Sequence, residues 1–353
     1  MLVAYVSGHG FGHATRTGLV LRHLRERAPG LPLAIVTAAP ESLFRAAVSG
    51  PFTYRRLECD VGLAQKDALV LDEAETARRF ALFASRWAER LEGEVSFLRA
   101  TGARVVLGDI PPLAFAAAHA AGLPGVGLAN FSWDWIYAHA ARHAPELRAA
   151  AEHCAAAYAK ATLLLRLPFA GDLGVFPYIE DVPLVARRPR VAKDEARRRL
   201  ALDGRPAVLL SFGGIGLPGF QSAVLAPLQD FQFMLPEQVS EPRLSALGLG
   251  YEDVVGAADV VVTKPGYGIV TDAIGARTRL VYTDRGDFPE YPILVEEMKR
   301  YLPTAYATND DVRQGRLALA LGKVMAAPFP PAPDLSGAAR AADHILRLID
   351  MEA

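Results

Sequence analysis

Short apolar runs alternate with helical stretches along the first half of the chain. Each run is continuous, ends in glycine or polar residues, and precedes an alanine-rich stretch with helical spacing. Continuous runs of this kind are typical of parallel strands that are covered on both faces. The predicted strands are Leu2–Val6, Leu33–Val36, Arg104–Leu107, Gly125–Leu128 and Leu163–Leu167, and helices are predicted over Thr15–Arg27 and Leu113–Ala121. This pattern predicts a doubly wound α/β domain.

The second half repeats this design after a change of composition. Prolines and arginines accumulate around Val182–Lys193, which indicates a connector between two domains. The strands predicted beyond it are Ala207–Ser211, Phe231–Leu235, Val260–Thr263 and Arg279–Thr283, with helices over Tyr251–Ala257, Ile269–Ala276 and Leu335–Ile349. The sequence thus predicts one Rossmann-like domain at 1–182, a second at 183–334, and a C-terminal helix within 335–353 that packs back on the first domain.

One long helix is predicted over Ala74–Ala100. Six apolar residues recur there at helical spacing, which predicts a face that packs against the core rather than a ligand site. These residues are Phe80, Phe83, Trp87, Leu91, Val95 and Leu98.

The composition narrows the class of protein. The 353 residues are 51% hydrophobic and 22% charged, as in globular proteins. A net charge of -1 provides no basic face for nucleic acid and no polybasic anchor for acidic lipids. No apolar stretch approaches the ~20 residues of a membrane span, and Cys59 and Cys154 are predicted to be buried free thiols in a reducing cytoplasm. We therefore expect a cytoplasmic protein without nucleic-acid partners or integral membrane segments, and whether it forms a homodimer stays open.

The first candidate site is the glycine-rich turn between the first strand and the first helix. It reads Ser7-Gly8-His9-Gly10-Phe11-Gly12-His13-Ala14-Thr15-Arg16. Such a turn lets the backbone approach a ligand, and the helix N-terminus presents unpaired N–H groups with partial positive charge. Glycines that only turn the chain and histidines that only cap the helix would produce the same pattern. We expect His9 and His13 to act as a general base or a phosphate contact, because ligands bind at the carboxyl edge of such sheets.

This turn does not match the dinucleotide-binding fingerprint. Two of its positions are histidines, and the second strand is followed by Thr37-Ala38-Ala39 where an acidic residue would bind a ribose. A resident dinucleotide cofactor is therefore not expected.

A second junction of strand, glycine turn and helix follows the predicted strand Val260–Thr263. It reads Thr263-Lys264-Pro265-Gly266-Tyr267-Gly268-Ile269-Val270-Thr271-Asp272. It offers the same anion-binding geometry, and Lys264 adds a positive charge. The alternative is a tight turn with Lys264 in solvent, and we favour phosphate binding. Gly213-Gly214, after the first strand of this half, supplies a neighbouring turn whose amides could face the same ligand.

A third segment follows the predicted strand Arg279–Thr283. The residues Arg285, Asp287 and Glu290, together with Asp284, either hydrogen-bond sugar hydroxyls or pair with each other. The sequence leaves both readings open.

A fourth segment follows the predicted strand Gly125–Leu128. It places Asn130, Trp133 and Asp134 in one loop, and aromatic rings beside polar groups are common in carbohydrate sites. Tryptophans that only seal a cleft are the alternative. Further polar residues on loops that are predicted to open on the same sheet edge are Asp60, Gln65, Asp67 and Asp109.

Together these segments resemble the N-terminal, glycosyltransferase-like domain of plant L-arabinokinases and its free-standing bacterial relatives. The matching pieces are the Gly8–Arg16 run, Gln65 with Asp67–Leu69, Asn130–Trp133 with Asp134, Arg166–Pro168, Asp181–Val185 and Gly266–Gly268. The resemblance spans nearly the whole chain, and the first of these motifs is highly specific. The kinase half of the plant protein is not part of this sequence, so kinase activity is not implied.

More distantly, the layout is similar to that of GT-B glycosyltransferases that use UDP-sugars. This resemblance implies two Rossmann-like domains facing each other across a cleft that binds a nucleotide-sugar. It also implies metal-independent transfer of the sugar to a hydroxyl acceptor, with no resident cofactor. In that family the first glycine turn ends in Gly-His or Gly-Asp, and this last side chain is the usual base or acceptor contact. His13 occupies that position here.

The resemblance also implies a donor site in the second domain. In the family a glycine loop holds the diphosphate, and an acidic residue one turn later holds the ribose. Gly266–Gly268 and Asp272 match these positions, although the family more often has Glu at the second. The acid–amide pair that contacts the sugar has no clean match, so Asp287 and Glu290 are the nearest candidates, with Arg285 as a further phosphate ligand.

Three other functions stay open on the sequence. A nucleotide-sugar hydrolase or epimerase on the same fold would release free sugar or an epimer when no acceptor is supplied. A non-catalytic sensor would close on a nucleotide-sugar without making product. A purely structural protein would bind no nucleotide.

Overall fold

The computed structural model describes residues 1–65, 71–213 and 219–351, which form two compact units. Unit 1 contains Met1–Ala64, Asp72–Val185 and the chain from Asp334 on. Unit 2 contains Ala186–Pro333 together with Gln65 and Leu71, which form an isolated antiparallel bridge. Each unit is built on one parallel sheet.

The described residues of unit 1 form a sheet of seven parallel strands. The strands are β1 (Leu2–Val6), β2 (Leu33–Thr37), β3 (Thr53–Arg56), β4 (Val105–Asp109), β5 (Gly125–Ala129), β6 (Leu163–Arg166) and β7 (Ile179–Asp181). Their order across the sheet is β3-β2-β1-β4-β5-β6-β7. The chain leaves the neighbouring strands β1 and β4 in opposite directions, and open α/β sheets bind ligands at the carboxyl ends of such a pair.

Strands β1, β2, β4 and β5 are buried along their whole length, because helices cover both faces of this sheet. The helices are α1 (Phe11–Arg27), α2 (Glu41–Ala47), α3 (Glu73–Ser85), α4 (Trp87–Ala100), α5 (Pro112–Ala121), α6 (Trp133–Ala140), α7 (Leu147–Tyr158) and, at the end of the chain, α15 (Gly337–Met351). Helix α15 packs on α1 within unit 1. There Arg27 Nε lies 2.7 Å from a carboxylate oxygen of Asp343.

The described part of unit 2 contains a five-stranded parallel sheet. The strands are β8 (Ala207–Ser211), β9 (Gln232–Met234), β10 (Val260–Thr263), β11 (Arg279–Tyr282) and β12 (Thr304–Tyr306), in the order β12-β11-β10-β8-β9. The helices are α8 (Lys193–Arg199), α9 (Glu241–Ala246), α10 (Tyr251–Ala257), α11 (Tyr267–Ala276), α12 (Glu290–Glu297), α13 (Asn309–Arg313) and α14 (Ala318–Ala326). Short 3₁₀ turns cover Ser222–Leu225, Pro236–Val239 and Met298–Arg300. Apolar residues of four strands pack against α13 and α14 to form the core on one face.

The α/β class with two doubly wound parallel sheets is confirmed, while one predicted element is wrong. The helix expected over Ala74–Ala100 is two helices, because Arg86 between them has φ -108° and ψ 17°. Sequence reasoning also missed strands β3, β7 and β12, which are short and lie at sheet edges. Edge strands of this kind lack the continuous apolar run that identified the central ones.

No helix in residues 1–65, 71–213 and 219–351 combines the length and the apolar character that crossing a bilayer requires.

Candidate functional site

The glycine-rich turn of unit 1 leads directly from β1 into α1. Gly10 stands at the N-cap of α1 with φ +92°, a conformation that residues with a side chain rarely adopt. No side chain caps this end of the helix, so the first backbone N–H groups of α1 have no partner from a capping side chain. Phe11 follows Gly10, and its ring is largely exposed. The turn therefore presents donors and one apolar ring, with Gly12 and His13 next in the chain.

His13 lies in the first turn of α1 and is paired with the carboxylate at the end of β4. His13 Nδ1 is 2.8 Å from Asp109 Oδ1, and Asp109 is fully buried. Strands β1 and β4 are neighbours, and the ladder continues beyond them because Ser7 N–H donates to the Asp109 carbonyl oxygen at 2.8 Å. The sheet register thus brings together two residues that are 96 positions apart in the chain.

Arg16 neutralises the same carboxylate. Its Nε donates to Asp109 Oδ2 at 2.8 Å and its Nη2 to Oδ1 at 2.5 Å, while Thr17 Oγ1 donates to Oδ2 at 2.5 Å. Burial by itself would raise the pKa of Asp109, but the charges of Arg16 and His13 lower that pKa well below its ordinary value. Asp109 is therefore an ionised acceptor in the folded protein.

The ionised carboxylate decides which nitrogen of His13 carries the proton. A carboxylate only accepts hydrogen bonds, so Nδ1 of His13 must donate to Asp109 Oδ1. Arg16 Nη2 lies 3.1 Å from the same Nδ1, and both groups donate to Oδ1. No hydrogen bond to Nε2 forms within the described part of the chain. In the neutral ring, Nε2 is thus the basic nitrogen.

Asn130 joins this cluster from the end of β5. Its Oδ1 accepts a hydrogen bond of 2.7 Å from Arg16 Nη1, and the side chain is fully buried. Phe131 packs edgewise on the His13 ring at a centroid distance of 5.6 Å. The carboxyl ends of β1, β4 and β5 therefore contribute to one buried polar cluster.

His9 forms a second pair of an imidazole and a carboxylate. Its Nε2 lies 3.2 Å from the carbonyl oxygen of Asp60 and 3.6 Å from Oδ1 of the same residue. Trp133 Nε1 donates to Asp60 Oδ2 at 2.7 Å, and Asp60 is buried. The ring of His9 also lies on Gly62, where a Cβ would stand 2.4 Å from His9 Cγ. Sequence reasoning placed Asp60 on a loop at this edge without assigning it a role.

Asp134, by contrast, lies in the first turn of α6. Burial is the main cause that raises the pKa of its carboxyl group above the ordinary value.

The glycine turn of unit 2 connects β10 to α11. Thr263 ends β10 and donates from Oγ1 to the Ser211 carbonyl oxygen at the end of β8. Lys264 and Pro265 follow, and Gly266 is the N-cap of α11 without a capping side chain. Because no side chain caps this end of α11, the turn has the arrangement of a helix N-terminus that can bind an anion.

Helix α11 begins with Tyr267 and Gly268, and Thr271 lies one turn further along. Tyr267 is buried, and Thr271 Oγ1 donates to the Gly268 carbonyl oxygen at 3.0 Å. The Thr271 hydroxyl is thus used within its own helix.

Asp272, one turn into α11, is held by an arginine that sequence reasoning did not select. Arg187 donates from Nε to Asp272 Oδ1 at 3.0 Å and from Nη2 to Oδ2, and its Nη1 donates to Glu252 at 3.0 Å. Burial opposes the charge of Arg187, but Asp272 and Glu252 raise the pKa of the guanidinium above its ordinary value. A ribose hydroxyl at Asp272 would have to share that carboxylate with Arg187.

The loop after β11 contains another buried ion pair. Arg285 Nη1 lies 2.6 Å from Glu290 Oε2, and the guanidinium stacks 4.1 Å over the Phe288 ring. Glu290 is only 2% exposed, whereas Asp287 is exposed. The sequence left open whether these residues contact sugar hydroxyls or pair with each other. In the structure, Arg285 and Glu290 pair with each other.

Two of the predicted site residues, Asp67 and Gly214, lie outside the described residues. Gly213 follows β8 with φ +72°. In residues 1–65, 71–213 and 219–351, no three His, Cys, Asp or Glu side chains lie close enough together to hold a metal ion.

Comparison with known proteins agrees with this architecture. No family model matches the chain. L-arabinokinase of Arabidopsis thaliana is 33% identical over 311 residues, which are 84% of this chain and 29% of that protein. The chain thus spans less than a third of the length of this relative. The resemblance to L-arabinokinase that the motifs predicted is confirmed.

Solved glycosyltransferases share the fold at low sequence identity. A UDP-glucosyltransferase from Polygonum tinctorium, capable of glucosylating indoxyl, has a TM-score of 0.60 at 14% identity, covering 99% of this chain and 93% of that one. A UGT transferase from Siraitia grosvenorii in complex with UDP has a TM-score of 0.59 at 13% identity, covering 99% of each chain. The glycosyltransferase SnogD from Streptomyces nogalater has a TM-score of 0.56 at 17% identity, covering 99% and 95%. The chain therefore has the GT-B glycosyltransferase fold.

Proposed function

We propose that this protein is a metal-independent glycosyltransferase in which unit 2 binds a nucleotide-sugar and His13 deprotonates a hydroxyl acceptor. The observation that supports this role best is the pair between His13 Nδ1 and the buried, ionised Asp109 at 2.8 Å. An imidazole anchored through one nitrogen presents the other nitrogen as a base. Asp109 is the positioning residue in this scheme.

The reaction is a direct exchange of two bonds. The acceptor hydroxyl gives its proton to His13 Nε2, and its oxygen forms a bond to the anomeric carbon of the sugar. The bond from that carbon to the diphosphate breaks, and the diphosphate leaves with the electron pair. Asp109 stabilises the imidazolium that forms, while Arg16 keeps the carboxylate ionised and oriented.

The donor site of this proposal is the bend from Lys264 to Gly268. The uncapped N-terminus of α11 supplies amides and partial positive charge, and Lys264 supplies a full charge. Arg285 Nη1 lies 3.9 Å from where a Cβ on Gly266 would stand, so a second cation borders the bend. These groups would stabilise the negative charge that grows on the leaving diphosphate.

The first test is a thermal-shift panel of nucleotides and nucleotide-sugars. A ligand at a hundred times its dissociation constant adds about 2.7 kcal/mol to the free energy of unfolding, which raises the melting temperature measurably. UDP and UDP-sugars are the expected hits, since solved proteins of this fold carry UDP. If no nucleotide shifts the melting temperature, the proposal fails and a structural role is favoured.

The second test separates the base from binding. His13→Ala should leave UDP-sugar affinity unchanged and lower transfer to a hydroxyl acceptor by about 10²–10⁴-fold. His23→Ala, on the same helix and paired with Glu26 at the surface, is the matched control. Full transfer by His13→Ala would exclude His13 as the base.

The same assay distinguishes the alternative functions. Free sugar or an epimer in the absence of acceptor would identify a hydrolase or epimerase. Binding without product across an acceptor panel would identify a sensor.

A further inference from the structure

Three tyrosines and one carboxylate gather at the carboxyl ends of β11 and β12 in unit 2. The parallel register pairs Tyr282 with Tyr306, so the two side chains leave the sheet on the same face. Their ring centroids are 5.5 Å apart with the planes at 51°. Tyr306 is 46% exposed. We call Tyr282, Asp284, Tyr291 and Tyr306 the tyrosine–carboxylate patch.

Asp284 is oriented by the hydroxyl of Tyr306. This hydroxyl lies 2.8 Å from Oδ1 and 2.9 Å from Oδ2, so one proton is shared between both oxygens. An ionised carboxylate offers about four acceptor positions. The carboxylate therefore keeps acceptor capacity for hydroxyl groups of a ligand, while its position is fixed by an aromatic neighbour.

Tyr291 completes the patch from the first turn of α12. Burial raises its pKa to about 12, with Asp284, Tyr282 and Tyr306 as the neighbours that add to the shift. The pKa of Tyr306 is also raised to about 12, by burial and by its hydrogen bond to Asp284. These phenols are therefore protonated hydrogen-bonding groups at neutral pH.

This combination matches the chemistry of a saccharide. A sugar ring has hydroxyl donors for the carboxylate and C–H faces that pack on aromatic rings. An uncompensated carboxylate on the ligand would instead meet the charge of Asp284, and like charges at close range repel. The patch is thus suited to neutral sugars rather than to uronic acids.

The patch lies next to the proposed donor bend. Tyr282 is the register partner of Thr263, which directly precedes Lys264, and Thr283 N–H donates to the Thr263 carbonyl oxygen at 3.0 Å. Neighbouring strands are about 4.8 Å apart. Tyr282 therefore stands about one strand spacing, and Tyr306 about two, from the strand that leads into the bend.

We infer that the tyrosine–carboxylate patch binds the sugar ring of the donor and that Asp284 selects neutral over acidic sugars. This inference rests on the proposed function, because the sugar reaches the patch only when its diphosphate occupies the Lys264–Gly268 bend. The sequence left open whether Asp284 contacts a sugar or pairs within its own loop, and it did not select Tyr306.

The test is isothermal titration of the full chain with UDP, UDP-glucose and UDP-glucuronate. The parent protein should bind UDP-glucose about tenfold more tightly than UDP-glucuronate, the effect of one close charge pair in a partly exposed site. Asp284→Asn should reduce this ratio to about threefold or less. Tyr306→Phe, which keeps the ring and the carboxylate, should weaken UDP-glucose by several-fold and preserve the preference for the neutral sugar.

Binding of UDP alone separates the two claims. All variants, including the exposed-surface control Asp230→Asn, should bind UDP as the parent does, which also shows that they are folded. If UDP and its sugars do not bind to the parent, the proposed function and this inference fail together. If UDP binds but Asp284→Asn leaves the glucose-to-glucuronate ratio unchanged, the inference alone is overturned.

Discussion

Asp109→Asn is the substitution that tests the polar cluster of unit 1 most directly. It preserves the shape of the side chain and removes its charge, so Arg16 loses the carboxylate that receives its Nε and Nη2 protons at 2.8 and 2.5 Å. Arg16 is only 5% exposed. Removing one partner of a buried ion pair costs about 3–5 kcal/mol, because a charge stays buried without its counter-charge.

The cost can be measured by urea denaturation followed by circular dichroism. We expect the free energy of unfolding of Asp109→Asn to fall by about 3–5 kcal/mol, with an unchanged dependence on urea concentration. The double variant Asp109→Asn/Arg16→Met should recover much of the loss, because neither charge is then buried. A loss below about 1 kcal/mol in the single variant would refute the view that this ion pair is isolated from water.

The same substitution has a pH signature. The folded-state pKa of Asp109 is lowered, so its contribution to stability is complete above the unfolded-state pKa of about 4 and is lost as the pH falls below that value. Acid destabilisation below about pH 4 should therefore be weaker in Asp109→Asn than in the parent. Under the proposed function, transfer should also decline by orders of magnitude at neutral pH, because the amide of Asn can donate to His13 Nδ1 as well as accept from it and so no longer fixes the tautomer.

Three further predictions concern other parts of the molecule. Burial lowers the pKa of His153, so its contribution to stability is complete above about pH 6.5 and is lost at lower pH. His153→Phe should therefore weaken the loss of stability that urea denaturation shows as the pH falls below about 6.5. Gly62→Ala should displace the His9 ring, and urea denaturation should show a free energy of unfolding that is lower by about 1–3 kcal/mol. The control Gly30→Ala has open space around its Cβ position, so its free energy of unfolding should fall far less. Arg187→Met should lower the free energy of unfolding by about 2 kcal/mol. This is less than the ~3–5 kcal/mol expected for a fully buried pair, because the Arg187 side chain is 22% exposed. A parent-like urea midpoint in Gly62→Ala or Arg187→Met, or an unchanged pH profile in His153→Phe, would contradict these expectations.

The amino-acid sequence alone determined the architecture of this protein. Continuous apolar runs such as Leu2–Val6 and Val260–Thr263 identified the central strands, because a strand buried on both faces must be apolar along its whole length. The glycine turns after β1 and β10 were visible for a similar local reason, since a glycine-rich junction of strand and helix is encoded in consecutive residues. Polar edge strands such as Thr53–Arg56 carry no such signal and were missed.

Only the tertiary structure decided how the polar side chains pair. The contact of His13 with Asp109 joins residues 96 positions apart and depends on β1 lying beside β4. In the same way, Arg187 reaches Asp272 across 85 positions, and Tyr306 reaches Asp284 through the register of β11 and β12. Sequence patterns report the burial of each segment, whereas hydrogen bonds depend on which strands become neighbours, and that choice is made by packing of the whole chain.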